Sequence, residues 1–237
     1  MRTAAVLPVK RFAHAKRRLG ASVADPLRLA LARAMVADVL LALARTRSIE
    51  RTILVTGEES VASLARAQGA LVIDDDAESG QSAAVALGVR RALKEGIERV
   101  LCVPGDCPAL DPAELESLLA PDGAEIAANG RRGLAAEVVI VPDRHGTGTN
   151  GLLLTPPDAI AASFGPDSCE RHRAQARAAG VACRLERPSS LLLDIDTGAD
   201  LAALRERLAG TSAPVLRTRA VLGQPERAPT SAISTGA

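Results

Sequence analysis

The stretch that decides the fold is residues 52–74, TILVTGEESVASLARAQGALVID. It holds a short apolar run, a segment with apolar residues at helical spacing, a glycine at position 69 and a second apolar run. Short, uninterrupted apolar runs are typical of strands buried on both faces, and Gly commonly follows the end of a helix. The stretch therefore predicts a strand at 52–56, a helix at 58–68 and a strand at 70–74.

The same alternation continues on both sides of this unit. We predict further strands at 3–9 and 99–104 and further helices at 25–45 and 82–95. Asp25-Pro26 favours the start of the long helix, because Asp suits the N-cap and Pro the first helical position. This order predicts an α/β fold with a Rossmann-like, mostly parallel sheet that is flanked by helices on both faces.

The second half of the chain is less regular. The predicted strands are 124–128, 137–141, 152–155, 182–186 and 191–195, and the predicted helices are 112–119, 168–179 and 198–209. We interpret residues 1–210 as a single domain. Residues 211–237 are rich in Pro, Ser, Thr and Ala without apolar periodicity, which predicts a flexible tail.

The composition excludes several classes of function. Of 237 residues, 47% are hydrophobic and 24% are charged, as in an ordinary globular protein. The net charge is +1 and aromatic residues make up 1%, so neither a basic field nor a stacking surface is available for nucleic acid. The apolar run 35–44 is too short to span a bilayer, and the N-terminal run stops at Lys10 without a cleavage region. We expect a cytoplasmic protein with no membrane or nucleic-acid partner.

The four cysteines, Cys102, Cys107, Cys169 and Cys183, form no C-x-x-C pair and stand at no zinc-ligand spacing from histidine. We expect them to be buried or incidental thiols, which fits a reducing compartment.

A loop rich in cations follows the first predicted strand, with PVK at 8–10 and AKRRL at 15–19. In open α/β sheets, ligands bind beyond the carboxyl ends of the strands. The cations of this loop would suit a nucleoside triphosphate there, because Lys supplies a point charge and Arg grips phosphate with two donors. A solvated basic loop is the alternative, and the loop lacks the Walker A pattern.

Carboxylates follow two other predicted strands. Asp106 comes after the strand that ends near residue 104, and Asp194 and Asp196 lie two apart on a segment predicted to be extended. Such a pair points to one side and repels unless a cation lies between its members, and Mg²⁺ favours one or two carboxylates plus substrate phosphates. The alternatives are a tight turn at Asp106 and an N-cap at Asp196 or Thr197.

Two loops offer donors to a small anion: DRHGTGTNG at 143–151 and FGPDS at 164–168, which leads into a helix. Glycines beside Thr and Asn let backbone N–H groups face an anion, and a helix N-terminus attracts one. A hairpin turn and an ordinary N-cap remain alternatives. The segment SGQSA at 79–83 also opens a helix, where it could read a base or a phosphate, or simply cap the helix.

Together these motifs resemble the guanylyltransferase family of deazaflavin coenzyme (F-420) biosynthesis, over roughly residues 1–210. Members of this family activate phosphoenolpyruvate, 2-phospho-L-lactate or 3-phospho-D-glycerate with GTP. The motifs that carry the resemblance are PVK…AKRRL, GDCPAL at 105–110, DR…GTN at 143–150, FGPDS leading to His172, and DIDT at 194–197. One departure concerns residues 80–82, which read Gly-Gln-Ser where the family pattern is Gly-Leu-Asn, so the contact to the base is open.

The resemblance implies a nucleotidyltransferase fold of the nucleotide-diphospho-sugar transferase type, and it implies a role for each motif. Thr149, Gly165 and Ser168 would hold the phospho-carboxylate; Asp106, Asp194 and Asp196 would hold Mg²⁺; Lys10, Lys16 and Arg18 would neutralise the triphosphate, with Gly80 and Ser82 also on the nucleotide. Phosphoenolpyruvate is the first choice of acceptor. Lys10, Lys16, Arg18 and Asp106 are the predicted catalytic residues.

Other functions remain open from the sequence. The same reaction on 2-phospho-L-lactate or 3-phospho-D-glycerate is the first alternative, and a molybdopterin-type or sugar-phosphate nucleotidyltransferase is another. A nucleotide-binding domain without catalysis is the third. The sequence also leaves open the choice between a monomer and a homodimer.

Overall fold

The computed structural model describes residues 1–14, 19, 23–120, 135–209 and 216–223. The strands are β1 (Thr3–Val9), β2 (Arg51–Thr56), β3 (Leu71–Asp74), β4 (Arg99–Cys102), β5 (Glu137–Pro142), β6 (Thr149–Thr155) and β7 (Ala182–Leu185). The helices are α1 (Asp25–Arg45), α2 (Glu59–Ala67), α3 (Gln81–Lys94), α4 (Pro112–Leu119), α5 (Ser168–Ala178), α6 (Gly198–Ala209) and α7 (Leu216–Leu222). Short 3₁₀ turns lie at Phe12–His14 and Ser189–Leu191.

All seven strands form one sheet in the order β3-β2-β1-β4-β6-β5-β7. Strand β6 runs antiparallel to both its neighbours, β4 and β5, and the other pairs are parallel. The carboxyl ends of six strands therefore lie at one edge, where the amino end of β6 joins them. The predicted α/β fold with a mostly parallel sheet is confirmed.

The core lies on both faces of this sheet. Along β1, Ala5 and Leu7 pack into the cluster under α1, α2 and α4, whereas Ala4 and Val6 pack into the cluster under α3 and α5. This alternation follows from the two-residue period of a strand. Helix α3 approaches β1 closely at Gly88, where an added Cβ would lie 2.4 Å from Cγ1 of Val6.

Two local predictions are wrong. The predicted strand 191–195 is a 3₁₀ turn followed by irregular backbone. Its apolar side chains are buried because Leu191 packs against the sheet core and Ile195 against α6, and the Ile195 N–H donates to the carbonyl of Asp106 rather than to a strand. The N-cap of α1 is Ala24, so Asp25 is the first helical residue. The predicted strand 124–128 lies outside the described residues.

The predicted tail also contains structure. Helix α7 packs along α1. Its first turn is hydrogen-bonded to the side chain of Asp38 in α1, which is buried, with 3% of its surface exposed. The Asp38 carboxylate accepts from the backbone N–H groups of Arg217 and Thr218, at 3.1 and 2.8 Å. Val221 and Leu222 pack on the apolar cluster between α1 and α6. The prediction of a flexible tail is therefore wrong for residues 216–222.

None of the helices in the described part of the chain is long and apolar enough to cross a membrane.

Candidate active site

A cavity of about 630 Å³ opens at the carboxyl edge of the sheet. The ends of β1, β3 and β4, the β5–β6 turn, the start of α5 and the segment before α6 all contribute to its walls. Its size is that of a typical small-molecule site, and its position is where ligands bind in open α/β sheets. The fold thus brings most of the predicted motifs to one place.

Three carboxylates line this cavity: Asp106, Asp194 and Asp196. The loop after β4 and the segment before α6 are joined by the hydrogen bond from Ile195 N to the Asp106 carbonyl, 3.1 Å long. Burial raises the pKa of Asp194 above its ordinary value, and the nearby charge of Asp106 raises it further. Clustered carboxylates that disfavour their own ionisation favour a cation between them.

Asn150 orients one of these carboxylates. Its Nδ2 donates to Oδ1 of Asp194 at 3.1 Å and to the carbonyl of Leu191 at 2.9 Å. Because Asn150 is buried at the start of β6, it ties the Asp194 side chain to the rigid sheet. Sequence reasoning included this residue in the Gly-Thr-Asn motif without predicting its role.

Helix α6 begins with a cap formed by Thr197 and Asp200. The Thr197 N–H donates to Oδ2 of Asp200 at 2.7 Å, and the Asp200 N–H donates to Oγ1 of Thr197 at 3.3 Å. This is the reciprocal arrangement of a capping box. Arg144 adds an ion pair to Asp200 at 2.6 Å, which links the β5–β6 turn to this cap. Of the two capping residues considered from sequence, Thr197 has that role.

Among the described residues, no three His, Cys, Asp or Glu side chains stand close enough to form a complete metal site by themselves. Mg²⁺ rarely needs such a cage, because it keeps waters and takes substrate phosphates beside one or two carboxylates. The hard oxygen donors of Asp106, Asp194 and Asp196 fit a Mg²⁺–nucleotide complex better than a free ion.

The β5–β6 turn forms one wall of the cavity. Asp143 closes the turn by accepting from the Thr147 N–H at 3.0 Å with its Oδ1. Gly148 passes so close to this side chain that an added Cβ would lie 2.8 Å from Oδ2 of Asp143. The Cys169 N–H donates to the Thr147 carbonyl at 3.0 Å, which joins the turn to the start of α5. The two predicted anion loops are thus held side by side.

Thr149 and Ser168 contact each other in this wall, and His172 holds the Thr149 hydroxyl in place. Ser168 Oγ donates to Oγ1 of Thr149 at 3.1 Å, and Nδ1 of His172 lies 3.1 Å from the same oxygen. The Ser163 N–H donates to Nε2 of His172 at 2.9 Å, so that nitrogen is an acceptor and the proton of a neutral ring is on Nδ1. Thr149 Oγ1 then accepts twice, and its own hydroxyl hydrogen is available to a ligand in the cavity.

His172 is fully buried, with 0% of its surface exposed. Burial, and after it the charge of Arg171, lowers the pKa of His172 to about 4. The ring is therefore neutral near pH 7, as the hydrogen bonds require. Its position four residues after Ser168, one helical turn along α5, was the signal in the sequence.

The residues that were predicted to bind the nucleotide lie in different places in the structure. Lys10 and Gly80 line the cavity. Lys16 and Arg18 lie outside the described residues. Ser82 is not part of the cavity wall; its Oγ accepts from the Phe164 N–H at 2.9 Å and so anchors the loop before α5.

Two further side chains line the cavity. Gln81, the first residue of α3, belongs to the segment 79–83 that was predicted to read a base or a phosphate or to cap the helix. Asp75, directly after β3, was not selected from the sequence.

Comparison with known proteins agrees with this geometry. The family described as "Guanylyl transferase CofC like" matches residues 3–217, nearly the whole described chain. The protein belongs to this family. The family resemblance seen in the sequence motifs is therefore confirmed, and nucleotidyl transfer is the chemistry of this family.

Curated relatives of this guanylyl transferase family cover most of the chain. A phosphoenolpyruvate guanylyltransferase of Conexibacter woesei is 48% identical over 94% of this chain and 96% of its own length. A 2-phospho-L-lactate guanylyltransferase of Methanothermobacter thermautotrophicus is 32% identical over 90% of this chain and 88% of its own length. A 3-phospho-D-glycerate guanylyltransferase of Phenylobacterium zucineum is 35% identical over 83% of this chain and 86% of its own length.

Solved structures show the same fold at low identity. A candidate nucleotide-diphospho-sugar transferase of Desulfovibrio desulfuricans superposes with a TM-score of 0.71 at 18% identity, covering 94% of each chain. A nucleotidyl transferase of M. thermautotrophicus superposes with a TM-score of 0.56 at 20% identity, covering 89% of this chain and 99% of its own. The predicted nucleotidyltransferase fold is confirmed.

Proposed function

We propose that this member of the guanylyl transferase family joins GMP from GTP to the phosphate of phosphoenolpyruvate, with release of pyrophosphate, as a step of coenzyme F-420 biosynthesis. The observation that carries the proposal is the convergence, in one cavity, of two buried, hydrogen-bonded hydroxyl groups, of Thr149 and Ser168, with the carboxylates Asp106 and Asp194. The name of the 48% identical Conexibacter relative supports phosphoenolpyruvate as the acceptor.

The wall of the cavity around Thr149 and Gly165 suits a small dianionic acid. The Thr149 hydroxyl hydrogen and the backbone around Gly165, where φ is +115°, lie in the part of the cavity wall that can donate hydrogen bonds to a small anion. Hydrogen bonds from such donors to a charged group are worth about 1.5–3 kcal/mol each. Phospholactate and phosphoglycerate offer the same two anionic groups, so they remain the second candidates, in line with the names of the 32% and 35% identical relatives.

The reaction follows from the charges in the cavity. A phosphate oxygen of the acceptor attacks the α-phosphorus of GTP, a new P–O–P linkage forms, and the bond to the β-phosphate breaks as pyrophosphate leaves. Two anions must approach each other, so Lys10, which lines the cavity, and the predicted partners Lys16 and Arg18 reduce the repulsion.

The acceptor phosphate is already ionised near neutral pH, so the attack needs no general base. His172 is therefore a positioning residue, because it is buried against Thr149 and its pKa is lowered to about 4.

We infer that Asp106, Asp194 and Asp196 hold Mg²⁺ together with the nucleotide. When bound, Mg²⁺ neutralises charge on the phosphates and orients them. Asn150 holds the Asp194 carboxylate at 3.1 Å, and the capping box at Thr197 fixes the backbone that carries Asp196. These contacts position the carboxylates before any ligand arrives.

A matrix of four nucleoside triphosphates and several phospho-acids, scored by pyrophosphate release, tests the proposal. We expect release with GTP and a three-carbon phospho-acid, and none with sugar phosphates or molybdopterin. Nucleotide binding without release under every condition would identify a non-catalytic binding domain instead.

Thr149→Val is expected to lower kcat/KM for the acceptor by roughly 10- to 100-fold while the KM for GTP stays unchanged. Valine keeps the shape but removes the hydroxyl, and the loss of a hydrogen bond to a charged group costs about 1.5–3 kcal/mol. Steady-state kinetics with each substrate varied in turn measures the effect.

Thr149→Ser is the matched control, because it keeps the oxygen that accepts from Ser168 and His172. It should retain most of the activity. If Thr149→Val instead raises the KM for GTP and leaves the KM for the acceptor unchanged, Thr149 belongs to the GTP site and not to the acceptor site.

A further inference from the structure

One carboxylate in the cavity has no role in the chemistry described so far. Asp75 directly follows β3, is 9% exposed, and lines the cavity. Its backbone N–H donates to the Thr56 carbonyl at 3.2 Å, which extends the β2–β3 ladder by one residue and fixes the position of the side chain. No described residue provides its carboxylate with a hydrogen bond or an ion pair. A buried carboxylate without a partner is costly, so its presence points to a ligand.

The neighbouring carboxylates are already engaged with Arg11. The Arg11 N–H donates to Oε1 of Glu78 at 2.8 Å, and the guanidinium lies 3.8 Å from Glu78 and 3.7 Å from Asp76. Its Nε also donates to the Gly57 carbonyl at 3.0 Å, so Arg11 packs across the backbone beside Asp75. Arg11 thus connects the loops around Asp75, and its guanidinium pairs with Asp76 and Glu78.

Asp75 lies where it would contact the base of a nucleotide rather than its phosphates. In the sheet order, β3 lies three strands from β4, and Asp106 lies in the loop that follows β4. At about 4.8 Å per strand this separation is roughly 14 Å, enough for a ribose and a base between the carboxylates at Asp106 and the Asp75 side. A carboxylate repels a phosphate unless a cation lies between them, so the Mg²⁺ site proposed at Asp106, Asp194 and Asp196 suits the triphosphate better than the Asp75 side does.

An ionised carboxylate only accepts hydrogen bonds, and it can accept two in parallel. Guanine alone among the common bases presents two adjacent donors on its pairing edge, N1–H and the 2-amino group. Adenine and cytosine place an acceptor beside their amino group, and uracil has a single donor between two acceptors.

The other side of a guanine would also find a partner. Gln81, at the start of α3, lines the same cavity with an amide that can donate to O6. Its N-cap, Gly80, has no side chain that could occupy the first N–H groups of α3.

We propose that Asp75 reads guanine, accepting from N1–H and the 2-amino group, and so selects GTP over the other nucleoside triphosphates. This inference rests on the proposed function only in that both place a nucleotide in the cavity. It identifies a specificity residue where the family pattern at positions 80–82 is altered.

The first test changes the nucleotide and leaves the protein intact. Inosine triphosphate lacks the 2-amino group but keeps N1–H, and xanthosine triphosphate carries an oxygen in place of that group. Calorimetric binding to the wild-type chain, with Mg²⁺ and without acceptor, is expected to be about 10- to 100-fold weaker for inosine triphosphate than for GTP. Xanthosine triphosphate should bind more weakly still, because its oxygen would face the carboxylate. Equal binding of GTP and inosine triphosphate would overturn the proposal.

The second test is Asp75→Asn. The amide that this change introduces can donate to the 2-oxo group of xanthine and accept from N1–H, but it cannot accept from both guanine donors. We expect the preference for GTP over inosine triphosphate to disappear and the preference of GTP over xanthosine triphosphate to fall at least tenfold. The melting temperature should not drop, since no described contact of the carboxylate is lost. Asp76→Asn is the matched control: its carboxylate is 92% exposed, and the nucleotide preferences should stay as in the wild type.

The results separate this proposal from the proposed function. A wild-type chain that prefers GTP in binding, loses that preference in Asp75→Asn, and releases no pyrophosphate would support the base assignment and overturn the transferase reaction. A chain that releases pyrophosphate normally while Asp75→Asn keeps the wild-type ratio of GTP to inosine triphosphate would overturn the base assignment alone. An equal loss for every nucleotide in Asp75→Asn would also overturn it, because a base reader changes ratios.

Discussion

Asp194→Asn is expected to lower kcat by about a hundredfold to a thousandfold or more without lowering the melting temperature. The change removes a negative charge where the phosphates and their cation must be held, and losses of this size follow when one electrostatic contact to a transition state is removed. The amide still accepts from Asn150 through its oxygen, so the local hydrogen bond at 3.1 Å remains. Turnover and thermal unfolding of the same preparation measure the two effects.

The expected stability of this variant follows from the raised pKa of Asp194, which burial causes first and Asp106 second. A carboxyl whose pKa is higher in the folded than in the unfolded chain binds its proton more tightly when folded, so its contribution to stability falls as pH rises through these values. At neutral pH the uncharged amide avoids this cost. The melting temperature should therefore stay level or rise.

A chelator should reproduce the effect in the wild type, and added Mg²⁺ should restore activity. Asp106→Asn is expected to behave as Asp194→Asn does, whereas Asp76→Asn, on an exposed side chain, should have normal turnover. Near-normal turnover in Asp194→Asn or Asp106→Asn would refute the assignment of these carboxylates.

A chain that ends at Ala209 is expected to melt roughly 5–15 °C below the full-length protein. The truncation removes α7, and with it the two N–H donors of the Asp38 carboxylate and the apolar contacts of Val221 and Leu222. Hydrogen bonds to a charged group contribute about 1.5–3 kcal/mol each, and part of that is recovered when water reaches Asp38, so a net loss of about 2–4 kcal/mol follows. For a chain of this length, 1 kcal/mol corresponds to about 2–4 °C.

A chain that ends at Gly223 is the matched control, because it keeps α7 and its contacts. It should melt within a degree or two of the full-length protein. If both truncations melt at the same temperature as the intact chain, α7 contributes nothing to stability, and the tail acts as its composition suggested.

The first half of the fold was predictable because local patterns and tertiary packing agree there. The segment 52–74 forms β2, α2 and β3 almost to the residue, since buried parallel strands need uninterrupted apolar runs and Gly69, with φ of +78°, ends the helix. Residues 191–195 have the same apolar character, yet their side chains anchor a loop and do not form a strand. Periodicity cannot distinguish these two uses of buried side chains.

Helix α7 was missed for a different reason. Seven residues form too short a helix to be stable alone, and what stabilises this one is Asp38, nearly 180 positions earlier in the chain. No pattern within 211–237 contains that information.

The candidate site shows the same division between local and long-range information. Asp106, Thr149 and Ser168 could be predicted because sequence motifs mark the ends of strands and the start of a helix. For His172 the sequence offers only its spacing from Ser168, and for Asp75 it offers no signal. Their roles depend on partners that the fold brings from other elements: Thr149 and Ser163 for His172, and the open cavity for Asp75.

Mass spectrometry of the product made from GTP, Mg²⁺ and an equal mixture of phosphoenolpyruvate, 2-phospho-L-lactate and 3-phospho-D-glycerate tests the central claim most directly. We expect a guanosine 5′-diphosphate ester of a three-carbon acid, formed with one pyrophosphate for each product molecule, with enolpyruvyl-diphospho-5′-guanosine as the main species. The phospholactate or phosphoglycerate ester as the main species would keep the reaction and change the acceptor. A mixture in which GTP and all three acids remain intact would contradict the account.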